Sequence, residues 1–254
     1  KKTKMEGPVT CNLPTCNLPQ ASQGKVLGVS LGPGEPELIT LKALKALQGA
    51  DIIYCPGTQT KSRSRDILQA LPVAMERVRL FHVPMSKDRT IANQAYDALC
   101  TEIASLVATG KNVAITAEGD SGFYSSVNYM FDKLASMNLP VTTVAGVPAF
   151  IAAGAISGLH IVKQEEKLVV LPGLTTAKEL DTLLSNGHVV VIMKLSQCTE
   201  EIHRFMQKSP CHEYHYYENV GTSDELHTTA YNDITRKDFP YFSLMIIRPC
   251  KQLA

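Results

Sequence analysis

A chain of 254 residues with 44% hydrophobic residues can bury one large core or two modest ones, and a formal net charge of +1 leaves no global positive field for nucleic acid or an acidic membrane surface. Any anionic ligand must therefore be met by a local cluster of cations. No apolar run approaches the ~20 residues of a membrane-spanning helix. The seven cysteines are scattered and odd in number, which fits a reducing cytoplasm better than a disulfide scaffold.

Residues 1–23 stand apart. Cys-Asn-Leu-Pro occurs at 11–14 and again at 16–19, and the stretch has too little apolar sequence for a core. It reads as a disordered tail or an extension, and its basic start lacks the apolar run of a secretory signal. The folded region begins near Gly24. Val26 to Leu31 is a short apolar run and predicts a buried strand. Gly32-Pro33-Gly34-Glu35-Pro36 breaks it, and Leu38, Leu41, Ala43, Leu44 and Leu47 return at helical spacing, with Pro36 suited to the first helical position. The unit is strand, glycine-rich loop, helix. Glu37 stands where a dinucleotide fingerprint has its third glycine, and the Gly-Lys-Ser/Thr of a phosphate loop is missing, so the loop alone is compatible with a tight turn.

Further strands are expected at Ala50–Tyr54, Val78–Val83, Asn112–Thr116 and Val141–Val144. Helices are expected near Asp66–Ala70, Ile91–Val107, Val127–Ala135 and from Pro148 to Ser157. Lys61, Arg63 and Arg65 fall in a Ser-rich loop after the second strand, and Lys87 and Arg89 follow the third. Strands alternating with helices at this spacing predict a mostly parallel α/β sheet. In the second half, strands at Lys167–Leu171, Val189–Lys194, His212–Tyr217, Glu225–Tyr231 and Ser243–Ile247 are accompanied by helices only near Ala177–Leu184 and Thr199–Gln207. The last strands follow one another directly, which predicts antiparallel pairing and a mixed sheet. The fold class is therefore two α/β domains, 24–160 and 161–254, with a site between them at the carboxyl ends of the first domain's strands.

The loop at 118–125, Glu-Gly-Asp-Ser-Gly-Phe-Tyr-Ser, is the most informative for chemistry. Gly119 and Gly122 allow a ligand to approach the backbone, and Asp120 offers either a carboxylate or a cap for the next helix. The histidines show no metal-ligand spacing, and Gly-x-Ser-x-Gly and Cys-x-x-Cys are both absent, so no metal site is expected from the spacing. Cys55, Cys100, Cys198, Cys211 and Cys250 sit in or beside apolar segments and read as small core residues.

LGPGEPELITLKALKALQGADIIYCPG resembles the opening of the tetrapyrrole methylases, enzymes of corrin and siroheme synthesis that use S-adenosylmethionine. VPMSKD at 83–88, VVIMKL at 190–195, FPYFSLMII at 239–247 and EGDSGFYSS at 118–126 resemble the precorrin-2 C20-methyltransferase branch. The resemblance runs from about Gly24 to Arg248. It implies two α/β domains, a homodimer, and S-adenosylmethionine folded into the cleft between the domains. By matching motif, Pro33, Glu118, Gly119, Asp120, Phe123, Pro148, Ala149 and Met193 would face the cofactor, with the strand around His215 and Ser243-Leu244 closing the pocket. Glu35 replaces the usual Asp, Ser121 and Gly122 replace proline and a bulkier residue, and Ala145 to Ala149 lacks a hydroxyl found in the family pattern. The implied activity is methylation of C20 of precorrin-2 or its cobalt form in cobalamin biosynthesis. Asp120, Glu118 and Tyr124 are the candidates to accept the departing proton or steer the macrocycle. Arg63, Arg65, Lys87 and Arg89 are the candidates for its carboxylates. The alternatives are another methylase of the superfamily, including the diphthamide and ribosomal-RNA branches, and a non-catalytic tetrapyrrole-binding protein.

Overall fold

The structure is a computed structural model that describes residues 24–82 and 89–250, the Arg89 side chain excepted. The tail at 1–23 and Lys87 lie outside the described residues.

The first sheet contains β1 (Val26–Ser30), β2 (Ile52–Pro56), β3 (Val78–Phe81), β4 (Val113–Ala117) and β5 (Val141–Val144) in the order β3-β2-β4-β1-β5, and every pairing in it is parallel. A sheet buried on both faces requires nearly continuous apolar strands, and β1 and β4 are buried at every position. Helices α1 (Leu41–Gln48) and α2 (Arg63–Gln69) cover one face, packing Leu47, Ile67 and Leu68 on Val29, Ile53 and Ala114. Helices α3 (Arg89–Ala108) and α4 (Asn128–Ser136) cover the other, packing Ile103, Met130 and Leu134 near Ile52, Val113 and Ile115. Each fully buried side chain of this size contributes roughly 1.5–3 kcal/mol.

Two local expectations change. Pro36 does not open α1; it starts a short 3-10 turn, Pro36–Leu38, and α1 begins at Leu41. Ile39 ends the turn, its N–H donating to the Pro36 carbonyl, and Thr40 caps the helix, its Oγ1 accepting the Ala43 N–H at 3.1 Å. Likewise α2 starts three residues before the expected Asp66. Ser62 Oγ accepts the Arg65 N–H and donates to the Pro56 carbonyl at 2.7 Å, so Arg63 and Arg65 belong to a capped helix rather than a loop.

After β5, α5 (Ala149–Ser157) ends at Gly158, which takes a left-handed C-cap conformation. The second sheet is formed by β6 (Leu168–Leu171), β7 (Val189–Met193), β8 (Glu213–Glu218), β9 (Leu226–Thr228) and β10 (Ser243–Arg248), in the order β6-β7-β10-β8-β9. Only β6–β7 is parallel, which gives the expected mixed sheet. Helices α6 (Ala177–Ser185), α7 (Thr199–Lys208) and the short α8 (Tyr231–Ile234) are on its outer side, with Leu180, Phe205, Met206 and Ile234 in one cluster with Tyr216 and Met245. Its inner side is covered by α5. Phe150, Ala152 and Ala153 pack on Val189, Val191, Leu244 and Ile246, and the hydroxyls of Ser157 and Tyr217 are 2.7 Å apart. The helix that closes the first unit is thus the inner layer of the second.

Candidate active site

The loops after β1 and β4 meet where their strands end. Gly32 and Gly119 exchange backbone hydrogen bonds, Gly32 N–H to Gly119 O at 3.1 Å and Gly119 N–H to Gly32 O at 2.7 Å. Gly119 has φ +66, a conformation that L side chains rarely adopt, and a Cβ built on it would meet nothing closer than 4.0 Å. The backbone is therefore turned toward open space, as a close ligand approach requires.

Asp120 fixes this turn. Its Oδ1 accepts the Gly122 N–H at 2.8 Å and its Oδ2 accepts the Gly146 N–H at 2.7 Å. One carboxylate therefore joins the loop after β4 to the loop after β5. Gly146 permits the approach, because a Cβ there would sit 2.5 Å from the Gly119 carbonyl. Ser121 adds a third tie through its N–H to Ser30 Oγ at 2.8 Å. Both oxygens of Asp120 are thus committed to backbone donors, and the two bonds fix the side chain in place.

Opposite this wall stands the second sheet. A Cβ on Gly34 would fall 2.8 Å from the Val220 carbonyl and 2.9 Å from that of Gly221, so the glycine lets the loop after β1 touch the loop after β8. Arg63, at the first position of α2, reaches across. Its Nη2 donates to Asn219 Oδ1 at 2.9 Å, and its guanidinium lies 3.6 Å over the Phe242 ring. Burial draws its pKa down, against the opposing charges of Glu118, Asp224 and Asp66. Glu118 accepts from Ser64 Oγ at 2.7 Å, its only hydrogen bond among the described residues. The Tyr124 hydroxyl donates to the Val170 carbonyl at 2.8 Å, and Lys194 Nζ donates to the Tyr124 carbonyl at 3.1 Å. Tyr124, Lys194 and Asn219 all have positive φ, at 51°, 59° and 48°. Non-glycine residues held there cost of order 1–3 kcal/mol each and tend to mark functional loops.

A cavity of about 200 Å³ lies between these walls. Ten of the eleven positions expected to face a cofactor line it: Pro33, Glu118, Gly119, Asp120, Phe123, Pro148, Ala149, Met193, Ser243 and Leu244. Tyr124 and Arg63 line it too. His215 does not. It is buried on β8, its Nε2 2.7 Å from Glu213 Oε1 and its ring stacked on His227 at 5.7 Å. Expecting it at the pocket fails because β8 reaches the cavity only past its end, at Val220. Arg65 also points elsewhere, to the Gln59 carbonyl at 3.0 Å and to Asp66 at 3.7 Å. Lys87 falls outside the described residues, and Arg89 is placed only as the first residue of α3. Ser125, Ser126, Lys194, Val220, Tyr241 and Phe242 also line the cavity and were not expected. The FPYFS stretch held the signal for two of them, since Tyr241 and Phe242 precede Ser243 directly.

The sequence profile of the Tetrapyrrole (Corrin/Porphyrin) Methylases matches residues 25–231. The chain belongs to this family. A precorrin-2 C(20)-methyltransferase from Sinorhizobium sp is 31% identical over 233 residues, covering 88% of this chain and 95% of the relative. A probable cobalt-precorrin-2 C(20)-methyltransferase from Methanocaldococcus jannaschii is 26% identical, covering 90% and 97%. The X-ray structure of a cobalt precorrin-4 methyltransferase superposes with a TM-score of 0.71 at 19% identity over 92% of this chain and 98% of that one, a likeness of fold. The chain is thus an S-adenosylmethionine-dependent methyltransferase. The cavity's lining fits that cofactor in kind: the glycine turn at Gly119, the apolar surfaces of Phe123, Met193 and Leu244, and the hydroxyls of Ser125 and Ser126 are of the types that a molecule with an aromatic base, a ribose and a charged tail requires. No helix among the described residues is long and apolar enough to cross a membrane.

Proposed function

We propose that the chain methylates C20 of precorrin-2 or of its cobalt form, with the macrocycle at the mouth of the cavity between the two sheets. The similarity to the Sinorhizobium enzyme over 95% of that enzyme's length carries this reading. The branch-like segments VVIMKL and FPYFSLMII add to it, since Met193, Lys194, Tyr241, Phe242, Ser243 and Leu244 from those segments line the cavity.

The bound cofactor supplies an electrophilic methyl, and the reduced macrocycle's enamine-like meso carbon is already a nucleophile. The protein's task is alignment and exclusion of water. The braced loops at 118–122 and 145–149 fix the wall against which the donor rests. Phe123, Met193 and Leu244 keep water out. Arg63 presents a guanidinium to a substrate carboxylate on the same cavity. Asp120 is a positioning residue, because both its oxygens are engaged, and the Tyr124 hydroxyl is engaged with Val170. Glu118 keeps an oxygen without a hydrogen bond among the described residues and is the acceptor for the proton that leaves C20. The same reading carries a cytoplasmic homodimer, consistent with Ile151 and Ile156 left exposed on α5; analytical ultracentrifugation reads its mass.

Incubation with precorrin-2, and separately with its cobalt form, in the presence of S-adenosylmethionine tests the assignment. A mass gain of one methyl, located at C20 by NMR, is expected with at least one of them. A methyl at another carbon, or none with either substrate, would overturn it.

A further inference from the structure

The histidine and cysteine spacing along the chain hides a cluster that the fold assembles far from the cavity. Strands β8 and β10 are antiparallel, with Arg248 opposite Glu213. Two residues beyond that pair, the same register sets Cys250 opposite Cys211. The ligand-type atoms of Cys211, His212 and Cys250 all lie within 4.8 Å of one another. Cys211 is exposed rather than part of the core, contrary to the sequence expectation, and Cys250 is partly exposed.

Two chemistries suit such a group, a metal site and a dithiol. His212 separates them. The Cys250 peptide N–H donates to His212 Nδ1 at 3.0 Å, so Nδ1 must be the bare nitrogen and, in the neutral ring, Nε2 carries the proton. Burial lowers the pKa of His212, with Asp181 opposing, so the neutral ring is favoured. A metal bound at Nε2 would turn Nδ1 into a donor facing a donor, and a metal at Nδ1 would have to displace the peptide bond partner. The ring, stacked on Phe205 at 5.7 Å and 11°, is held for the peptide rather than for an ion. The two thiols are left facing each other, and a hydrogen bond with Cys250 raises the pKa of Cys211.

We propose that Cys211 and Cys250 are a reversible dithiol–disulfide pair that fastens the ends of β8 and β10, with a peroxide as oxidant. The Cys211 thiolate attacks one peroxide oxygen; the O–O bond breaks and the leaving hydroxide takes up a proton as water, giving a sulfenic acid. The Cys250 sulfur then attacks the Cys211 sulfur, the S–O bond breaks, and the second hydroxide leaves as water with the Cys250 thiol proton. Two thiols lose two electrons and hydrogen peroxide gains them, yielding one disulfide and two waters. Because only the thiolate attacks, the raised pKa makes the first step faster as pH rises. The cavity lies at the far end of the same strands, about 20 Å from Cys250 back to Leu244 at the usual rise per residue, so the bond forms without occupying the cavity.

The test uses the full chain. It is treated with hydrogen peroxide, digested without reductant and mapped by mass spectrometry. A loss of two hydrogens and a peptide joining Cys211 to Cys250, reversed by dithiothreitol, are expected. The buried Cys55, Cys100 and Cys198, whose thiol pKa values burial pushes up to about 12, 11 and 11, should stay alkylatable as internal controls. Oxidation should raise the melting temperature by roughly 5–10 °C, and this rise should vanish in Cys250→Ser. In parallel, the reduced chain is titrated with Zn²⁺ against a chromophoric chelator, and weak or no retention is expected. A bond from Cys211 to any other cysteine, separate over-oxidation of both thiols, or one tightly held Zn²⁺ lost in both Cys211→Ser and His212→Ala would overturn the proposal.

Discussion

At Gly119, freedom of the backbone and emptiness beside it coincide. A side chain there must adopt φ +66, which costs alanine roughly 1–2 kcal/mol and a β-branched residue more. A domain of ordinary stability survives the smaller loss, but the added methyl occupies the cradle. We expect Gly119→Ala to stay folded and to bind S-adenosylhomocysteine at least tenfold more weakly by calorimetry; Gly119→Val should bind none. Asp120 carries the opposite expectation. In Asp120→Asn an NH₂ replaces one acceptor, and either Gly122 or Gly146 loses its hydrogen-bond partner. The expected cost is about 1–3 kcal/mol of stability in chemical denaturation. Glu118→Gln should leave that stability and cofactor affinity nearly intact while slowing turnover, as its proposed role of proton acceptor requires; unchanged turnover would remove Glu118 from the chemistry.

The short helix α2 shows how an element's start decides what a residue does. Ser62 caps it, so Arg63 leaves the first turn toward the second sheet while Arg65 turns back to Gln59. Arg63→Lys keeps a charge but loses the flat contact with Phe242 and the fork reaching Asn219. Tetrapyrrole binding in a fluorescence or absorbance titration should weaken about tenfold, with Arg65→Ala as the neutral control. Cofactor affinity should fall in step to a smaller degree, since Arg63 shares the cofactor's cavity. The sequence made β1, β2, β4 and β7 legible because each is an apolar run, and β8 because its residues alternate. It also made the cavity's first wall legible, because Gly119, Asp120 and Pro148 are local to strand ends. What it could not show was contact across the chain. Arg63 meets Asn219, 156 positions away, and Cys211 meets Cys250, and neither contact leaves a trace in local spacing. His215 was misplaced because alternation along β8 gives its face but not how far along the strand the cavity reaches: paired with Ile246, it lies two residues behind the Tyr217–Leu244 pair at which the cavity stops.

For the molecule as a whole, titratable groups whose pKa the fold shifts set the pH range of stability. His212 and His227 have pKa values lowered by burial from the ordinary 6.5, so on acidification the unfolded chain takes up protons before the folded one. Stability should fall as pH drops below about 6.5. Glu166, with burial opposing, is brought down by hydrogen bonds from the Lys163 N–H and Arg248, and Glu201 by the Ala177 N–H. Their contribution is present above the ordinary 4.5 and lost as pH falls below it. On the alkaline side, burial raises the Tyr54 phenol from 10.0 to about 12 and raises Tyr214 and Tyr216 further. The unfolded chain then loses protons first, and stability should fall above pH 10. Melting temperatures recorded from pH 4 to 11 should show a plateau between about 6.5 and 9, the buried thiols of Cys55, Cys100 and Cys198, raised by burial from the ordinary 9.0, starting the alkaline decline and the tyrosines steepening it, with His212→Asn flattening the first acid step.

The placement of α5 has an evolutionary corollary. By chain order it closes the first sheet's run of strands and helices; by packing it is the inner cover of the second. The 158–167 stretch without regular structure therefore looks like a natural joint but severs the second sheet from its cover. Chimeras assembled from two relatives should tolerate a crossover in the loop before Ala149 and lose yield at one after Gly158, because only the earlier breakpoint inherits Phe150, Ala152 and Ala153 together with the strands they were selected to fit.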